Sequence, residues 1–357
     1  MRNLQKIIVA ILFIGIVLSC NKEDNPQVKP EPTVNGYYIL NSGKWGSNNS
    51  NLSYYNKDTK QLTENVFEAV NGKKLGDTGN DMIIYGSKMY IAVTESSVVF
   101  VTDLNGKIIK EVVMENTPKN MAPRYLCSGN GKVYVTYRDG YLAEIDTTNF
   151  AAKKVKVGIS PEGVMFLSGK IYVANSDGMN NGVNGSVSVV NPANLSVVKT
   201  IEKVTNPQTF HVFPDGSLYL ITWKNYATND PAALYKVNTQ TDELTLMKDV
   251  ADPTRMAVGK DGKGFLISST YDKDYNQTIK YYFFNSKTNK LEGEFTTTNE
   301  VPRGEYICGS NDGSEIFIGS TDYVNNGDVY ILNSNGEVVS KIESGGINPI
   351  KVCEVRY

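Results

Sequence analysis

The chain carries few residues able to do covalent or metal chemistry, and those few are poorly spaced for it. Its one histidine, His211 in QTFHVFPDG, stands in a strand-like run, where a packed or hydrogen-bonded imidazole is favoured over a general base. No Ser-His-Asp or Cys-His arrangement can be assembled without it. The run DKDYNQ from Asp272 opens like a calcium loop, but it lacks that motif's glycine, and Phe283 stands where the bidentate Glu belongs. Cys127, Cys308 and Cys353 fall in no CxxC or Cys/His spacing. Among 38 acidic residues, no spacing marks a carboxylate pair for glycan chemistry. The expectation is a protein that is not an enzyme, with no catalytic residue, no metal site and no cofactor. What remains is recognition. Both tryptophans, Trp45 and Trp223, and Tyr137, Tyr226, Tyr271, Tyr275 and Tyr323 stand in segments rich in Asn and Gly. Rings in such settings stack on a flat partner while the amides hydrogen-bond its rim.

These segments interrupt a repeat. Strand-like cores recur through the chain: YYIL at Tyr37, MYIAV at Met89, VYVTY at Val133, IYVAN at Ile171, LYLIT at Leu218, FLISS at Phe265 and IFIGS at Ile316. Their aromatics are 38 to 52 residues apart, the length of a four-stranded propeller blade. A tight Gly turn precedes most cores, as in SGNGK, LSGK and PDGS. A longer loop, an alternating strand such as SVSVVN or DVYILN, and a polar turn with a fourth strand follow. Links such as MAPRYL, ISPEGV, TNPQTF and INPIKV then open the next unit. No sustained helical period is present. The repeat opens with GYYILN, a second strand lacking its first, and ends with NPIKVCEVRY, a spare first strand. The predicted fold is therefore all-β: a seven-bladed β-propeller of four-stranded antiparallel blades, its ring closed by pairing the C-terminal strand with the N-terminal strands. An open solenoid or a pair of sandwiches would not need complementary ends. The three cysteines lie in the innermost strands and are expected to be free and buried.

In a four-stranded blade, loops joining strands two and three share a face with the links between blades. The long loops of this chain, among them Asn175 to Gly185 in NSDGMNNGVNG, all fall on that face, with the rings named above. The links add a ring at the channel mouth: Asn80, Asp81, Arg124, Glu162, Gln208, Arg255, Arg303, and Lys351 with Asn348. The predicted ligand-binding set is thus Trp45, Asn80, Asp81, Arg124, Tyr137, Glu162, Gln208, Trp223, Tyr226, Arg255, Tyr271, Arg303, Tyr323 and Asn348. Its mixed signs suit an uncharged polar ligand. Two alternatives stand beside this reading: the rings can pack between blades, and Arg124, Glu162 and Arg303 can pair across the channel.

The N-terminus speaks to location. Arg2 and Lys6 flank an apolar run, Ile7 to Leu18, too short to span a bilayer comfortably and placed like the core of an export signal. The run ends in VLSC, which resembles the lipobox of bacterial lipoproteins and would make Cys20 the lipidated first residue. An ordinary signal peptide cut near Ser19 and a signal anchor are the alternatives. Residues 1–19 read as signal peptide, 20–35 as a flexible, lipid-anchored tether, and 36–357 as the propeller. Without residues 1–19 the chain has 34 basic against 38 acidic residues with no basic block, which argues against a nucleic-acid partner.

The cores VYVTY and IYVANS look like YVTN-type propellers related to bacterial surface-layer proteins. The segments YYILNSGKWGSNNSNLSYYN, LGDTGNDM, APRYL and SPEGV narrow the resemblance to propeller lipoproteins of gut Bacteroidetes. The acidic pair Glu23 and Asp24 resembles their signal for export to the outer surface of the outer membrane. Some of those lipoproteins capture cobalamin and cap a TonB-dependent transporter. The resemblance thus implies a small-molecule ligand, with a corrinoid as candidate, a transporter partner and a membrane contact by lipid anchor only. A non-catalytic scaffold for protein or glycan binding is the alternative.

Overall fold

Runs such as Leu218–Thr222 and Val98–Thr102 are buried at every residue. A strand facing water on one side would alternate, so these strands are covered on both faces. The computed structural model describes residues 34–114, 122–274 and 276–356. The expected signal peptide, nearly all of the expected tether with Cys20, and Tyr275 lie outside the described residues.

The strands form seven antiparallel four-stranded sheets. From blade one to blade seven, the innermost strands are Pro349–Arg356, Gly79–Tyr85, Pro123–Gly129, Pro161–Leu167, Pro207–Val212, Pro253–Val258 and Gly304–Gly309. Blade one is built from both ends of the chain. Its innermost strand pairs with Val34–Asn41, which continues into Asn51–Asn56 and Leu62–Thr63. The ring closes as the complementary ends require, and pairing begins at Val34, slightly ahead of the expected boundary at Gly36.

Burial on both faces follows from blade stacking. Seven apolar clusters occupy the described residues, one between each pair of neighbouring blades. Between blades two and three, for instance, Tyr90, Val99 and Val101 meet Val133, Val135 and Ala143. The outermost strands are the most exposed. Ala152–Lys156 is largely exposed and carries Lys153, Lys154 and Lys156, charges that discourage edge-to-edge pairing.

One element was not expected from the sequence, and one expectation needs correction. A helix, Val66–Asn71, sits in the link from blade one to blade two. Six residues are too few for a helical period to show in sequence. The helix is held by tertiary contacts: Phe67 is buried against Phe100 with ring centroids 4.8 Å apart, and the Asn71 side chain donates to the Gly106 carbonyl and accepts from the Ile108 N–H. The three cysteines are free and stand in innermost strands, but only Cys127 is buried. Cys308 and Cys353 are half-buried because their strands line a central channel.

Candidate functional site

Every innermost strand starts with Pro or Gly at the loop-rich end and carries a register shift just after it. Such bulges re-aim the side chains around them. Beyond the bulge the strands alternate, and alternate residues face the axis. The second residue after each Pro or Gly forms one ring: Lys351, Asp81, Tyr125, Gly163, Thr209, Arg255 and Tyr306, in blade order. The fourth forms another: Cys353, Ile83, Cys127, Met165, His211, Ala257 and Cys308. All fourteen line a single cavity of about 780 Å³. Its walls run from Ser42 and Thr78 at the loop-rich end to Ser310 and Asn311 at the tight-turn end. Gly163 is the gap in the upper ring. A Cβ there would lie 2.3 Å from the Gln208 carbonyl oxygen, so that position must stay small.

Most of the mouth charges neutralise one another. Arg124 bonds Glu162 through Nε at 2.9 Å and Nη2 at 2.8 Å, and donates to Asn80 Oδ1 at 2.6 Å. Asn80 in turn donates to the Arg124 carbonyl at 2.8 Å. Lys351 pairs with Asp81 at 3.2 Å, and that carboxylate also accepts the N–H groups of Met82 and Leu126. Asp81 therefore ties blades one, two and three together, and its charge holds the Lys351 ammonium well above its ordinary value. Arg255 differs. It lies 4.3 Å from the Trp223 ring centroid and 5.6 Å from that of Tyr306, and it donates to the Thr254 carbonyl at 3.0 Å. Among the described residues it has no carboxylate within ion-pairing distance. His211, directly below Thr209, shares a 3.0 Å hydrogen bond with its hydroxyl. Burial, with the charges of Arg255 and Lys351, pushes its pKa down to about 3, so the imidazole is neutral.

The loop-rich face is confirmed by backbone bonds between strand-two-to-three loops and blade links, such as Ser42 N–H to Asn348 O and Trp223 N–H to Asn206 O. Trp45 and Tyr226 are 74% and 71% exposed at loop tips, and Tyr271 and Tyr323 are also exposed. Trp223 is half-buried, its indole N–H donating to Thr254 O at 2.9 Å.

Several predicted site residues serve the scaffold instead. Tyr137 is buried in the cluster between blades two and three, because its loop is a tight turn and the ring is the last residue of a strand. Asn348 accepts from the Thr321 hydroxyl and donates to Gly43 O, latching blade seven to blade one. Gln208 is buried and donates to Asn206 Oδ1. Glu162 is held by Arg124, in keeping with the pairing alternative, whereas Arg303 is exposed in a link and does not line the cavity. The Asn175–Gly185 loop also turns its polar groups inward. Asp177 is fully buried and accepts from the side chains of Asn180 and Asn184 and from the Asn184 N–H, while Asn175 donates to Ser186 and Ser188.

Tyr125, Thr209 and Tyr306 were not anticipated from sequence, yet a signal exists. Aligning the seven links on their Pro or Gly puts all three in the column of Asp81, Arg255 and Lys351. Beside this column, Glu305 is bonded to the Gln277 amide and the Tyr323 hydroxyl, and burial shifts its carboxyl upward.

Solved structures similar to this one share the fold. A candidate 6-phosphogluconolactonase from Bacteroides uniformis superposes with a TM-score of 0.61 at 13% identity, covering 90% of this chain and 100% of that one. A functionally unknown protein from Desulfotomaculum acetoxidans does so with a TM-score of 0.60 at 12% identity, covering 89% and 99%. The dihydro-heme d1 dehydrogenase NirN follows at 0.56 and 11% identity, covering 88% and 74%. No curated protein matches the sequence significantly. A family model described as a domain of unknown function, DUF5074, matches residues 35–348, and the chain belongs to that family.

Proposed function

We propose that this protein captures a small molecule at the loop-rich mouth of its channel, as a lipoprotein at the outer surface of the outer membrane, and delivers it to a TonB-dependent transporter. The observation that carries the reading is one-sidedness. The exposed rings Trp45, Tyr226, Tyr271 and Tyr323 all stand on the face where the channel meets the long loops, while the opposite face has tight turns. Aromatic tips around a concave polar opening bind a flat ligand by stacking. A corrinoid is the candidate by resemblance: its planar ring and amide fringe suit a surface of Tyr, Trp and Asn.

Titration calorimetry against cobalamin, cobinamide and a set of oligosaccharides tests this. The expected result is saturable corrinoid binding that falls at least tenfold in a Trp45→Ala/Tyr226→Ala variant of unchanged melting temperature. Corrinoid binding that ignores both substitutions, or no binding by any of these compounds, overturns it. A second reading, a non-catalytic scaffold for protein or glycan binding, is favoured by the apolar loop tips Met179 and Val324, exposed 70% and 72%. Oligosaccharide binding without corrinoid binding would support that reading.

A further inference from the structure

The mixed signs at the mouth suggest a neutral ligand only if every charge is counted as free. Asp81 is spent on Lys351 and two backbone N–H groups, and Glu162 on Arg124. Glu354 lines the far end of the channel, where it accepts the Asn311 N–H. Glu305 stands in the same strand as Tyr306 but does not line the cavity, and it is held by Gln277 and Tyr323. His211 beneath is neutral. Among the described residues, Arg255 is then the channel-wall cation with no carboxylate at ion-pairing distance, Glu305 acting on it at longer range. It spends one N–H on Thr254 O, and the rings of Trp223 and Tyr306 lie within cation–π distance of its guanidinium.

Its neighbours in the upper ring are hydroxyl donors. Tyr306 is adjacent in blade seven, Thr209 is adjacent in blade five, and Tyr125 stands across the Gly163 gap in blade three. Burial pushes both phenols above their ordinary pKa, so they stay protonated and can donate. Gly163 itself adds no side chain between them, because a Cβ there would strike the Gln208 carbonyl oxygen. A guanidinium fork with two phenol O–H groups is the donor set that suits a singly charged oxyanion.

We infer that Arg255, Tyr306 and Tyr125 form an anion subsite in the channel, which binds the carboxylate of a small ligand whose body lies toward the rim tyrosines. This rests on the small-molecule reading above and gives its ligand a carboxylate, in place of the amide-fringed corrinoid. A carboxylate brings the single negative charge that balances Arg255. A phosphate monoester would bring about two.

The test uses a matched pair of probes. In Trp45→Phe protein, Trp223 is the only tryptophan, so its fluorescence reports on the group stacked against Arg255. Titration with benzoate, benzamide and inorganic phosphate in low-salt buffer should give a saturable benzoate response. Benzamide and phosphate should be at least tenfold weaker. Arg255→Gln should weaken benzoate at least tenfold, and Tyr306→Phe, which keeps the ring and removes only the hydroxyl, about threefold to tenfold. Equal binding of benzoate and benzamide, no benzoate response, or unchanged benzoate affinity in Arg255→Gln overturns the subsite. Phosphate stronger than benzoate overturns the assignment to carboxylates. Benzoate binding with no response to cobalamin, cobinamide or oligosaccharides would keep the subsite while the capture reading fails, and corrinoid binding with no benzoate response would do the reverse, so the two failures give different results.

Discussion

His211 is the only histidine, and its neutral state in the channel wall has a cost that depends on pH. Its folded pKa of about 3 lies below the ordinary 6.5, so the unfolded chain takes up a proton that the native state refuses. Stability is therefore full above pH 6.5 and is lost as pH falls toward 3, by up to about 1.4 kcal/mol per pH unit. Urea denaturation at about pH 7 and pH 5.5 should show this loss, and His211→Gln, which keeps an acceptor for Thr209, should flatten it. Glu305 is shifted upward and works in the opposite sense, alike in both proteins. A slope unchanged by the substitution would remove His211 as its source. Arg255 illustrates a different lesson. Its charge could be read from sequence, but its lack of an ion-pair partner among the described residues could not, because the partners of Arg124 and Lys351 come from neighbouring blades.

Four of the long loops are built elements, organised in each case by one Asx side chain near the end of strand two. Asp177 gathers Asn180 and Asn184, Asp272 accepts the N–H groups of Asp274 and Asn276, Asp322 those of Val324 and Asn325, and Asn225 those of Ala227 and Thr228. These side chains replace ladder partners that a wandering backbone lacks. The loop composition was legible, but the inward use of its amides was not, since an Asn reads the same whether it faces ligand or loop. Asp177→Ala removes the buried carboxylate that accepts three hydrogen bonds from Asn180 and Asn184 and should cost about 1–3 kcal/mol, with faster amide exchange in residues 178–184. Unchanged stability and exchange would show the loop held by other contacts. Tyr137 was misplaced for a related reason: ring type signals stacking capacity, while the length of the following turn decides whether the ring reaches the surface.

The ring closes on non-covalent bonds between its two ends. Strand Val34–Asn41 has its inner neighbour only in Pro349–Arg356, and Asn348 adds the latch to Thr321 and Gly43. A chain ending at Gly346 would expose the inner edge of blade one and open the apolar clusters shared with blades two and seven. It should lose its single cooperative thermal transition and elute as aggregate in size-exclusion chromatography. A truncated protein that melts cooperatively as a monomer would show that closure is dispensable.

Blade number, strand order, the complementary ends and the assignment of loops to faces were determined by the amino-acid sequence itself. They rest on hydrophobic period, turn residues and spacing, all local along the chain. The channel's charge state was decided only by tertiary structure. Whether a carboxylate is spent or free depends on which blade stands beside it at bonding distance. Closing the ring cancels Asp81 against Lys351 and Glu162 against Arg124, and leaves Arg255 on the channel wall with no carboxylate at ion-pairing distance among the described residues.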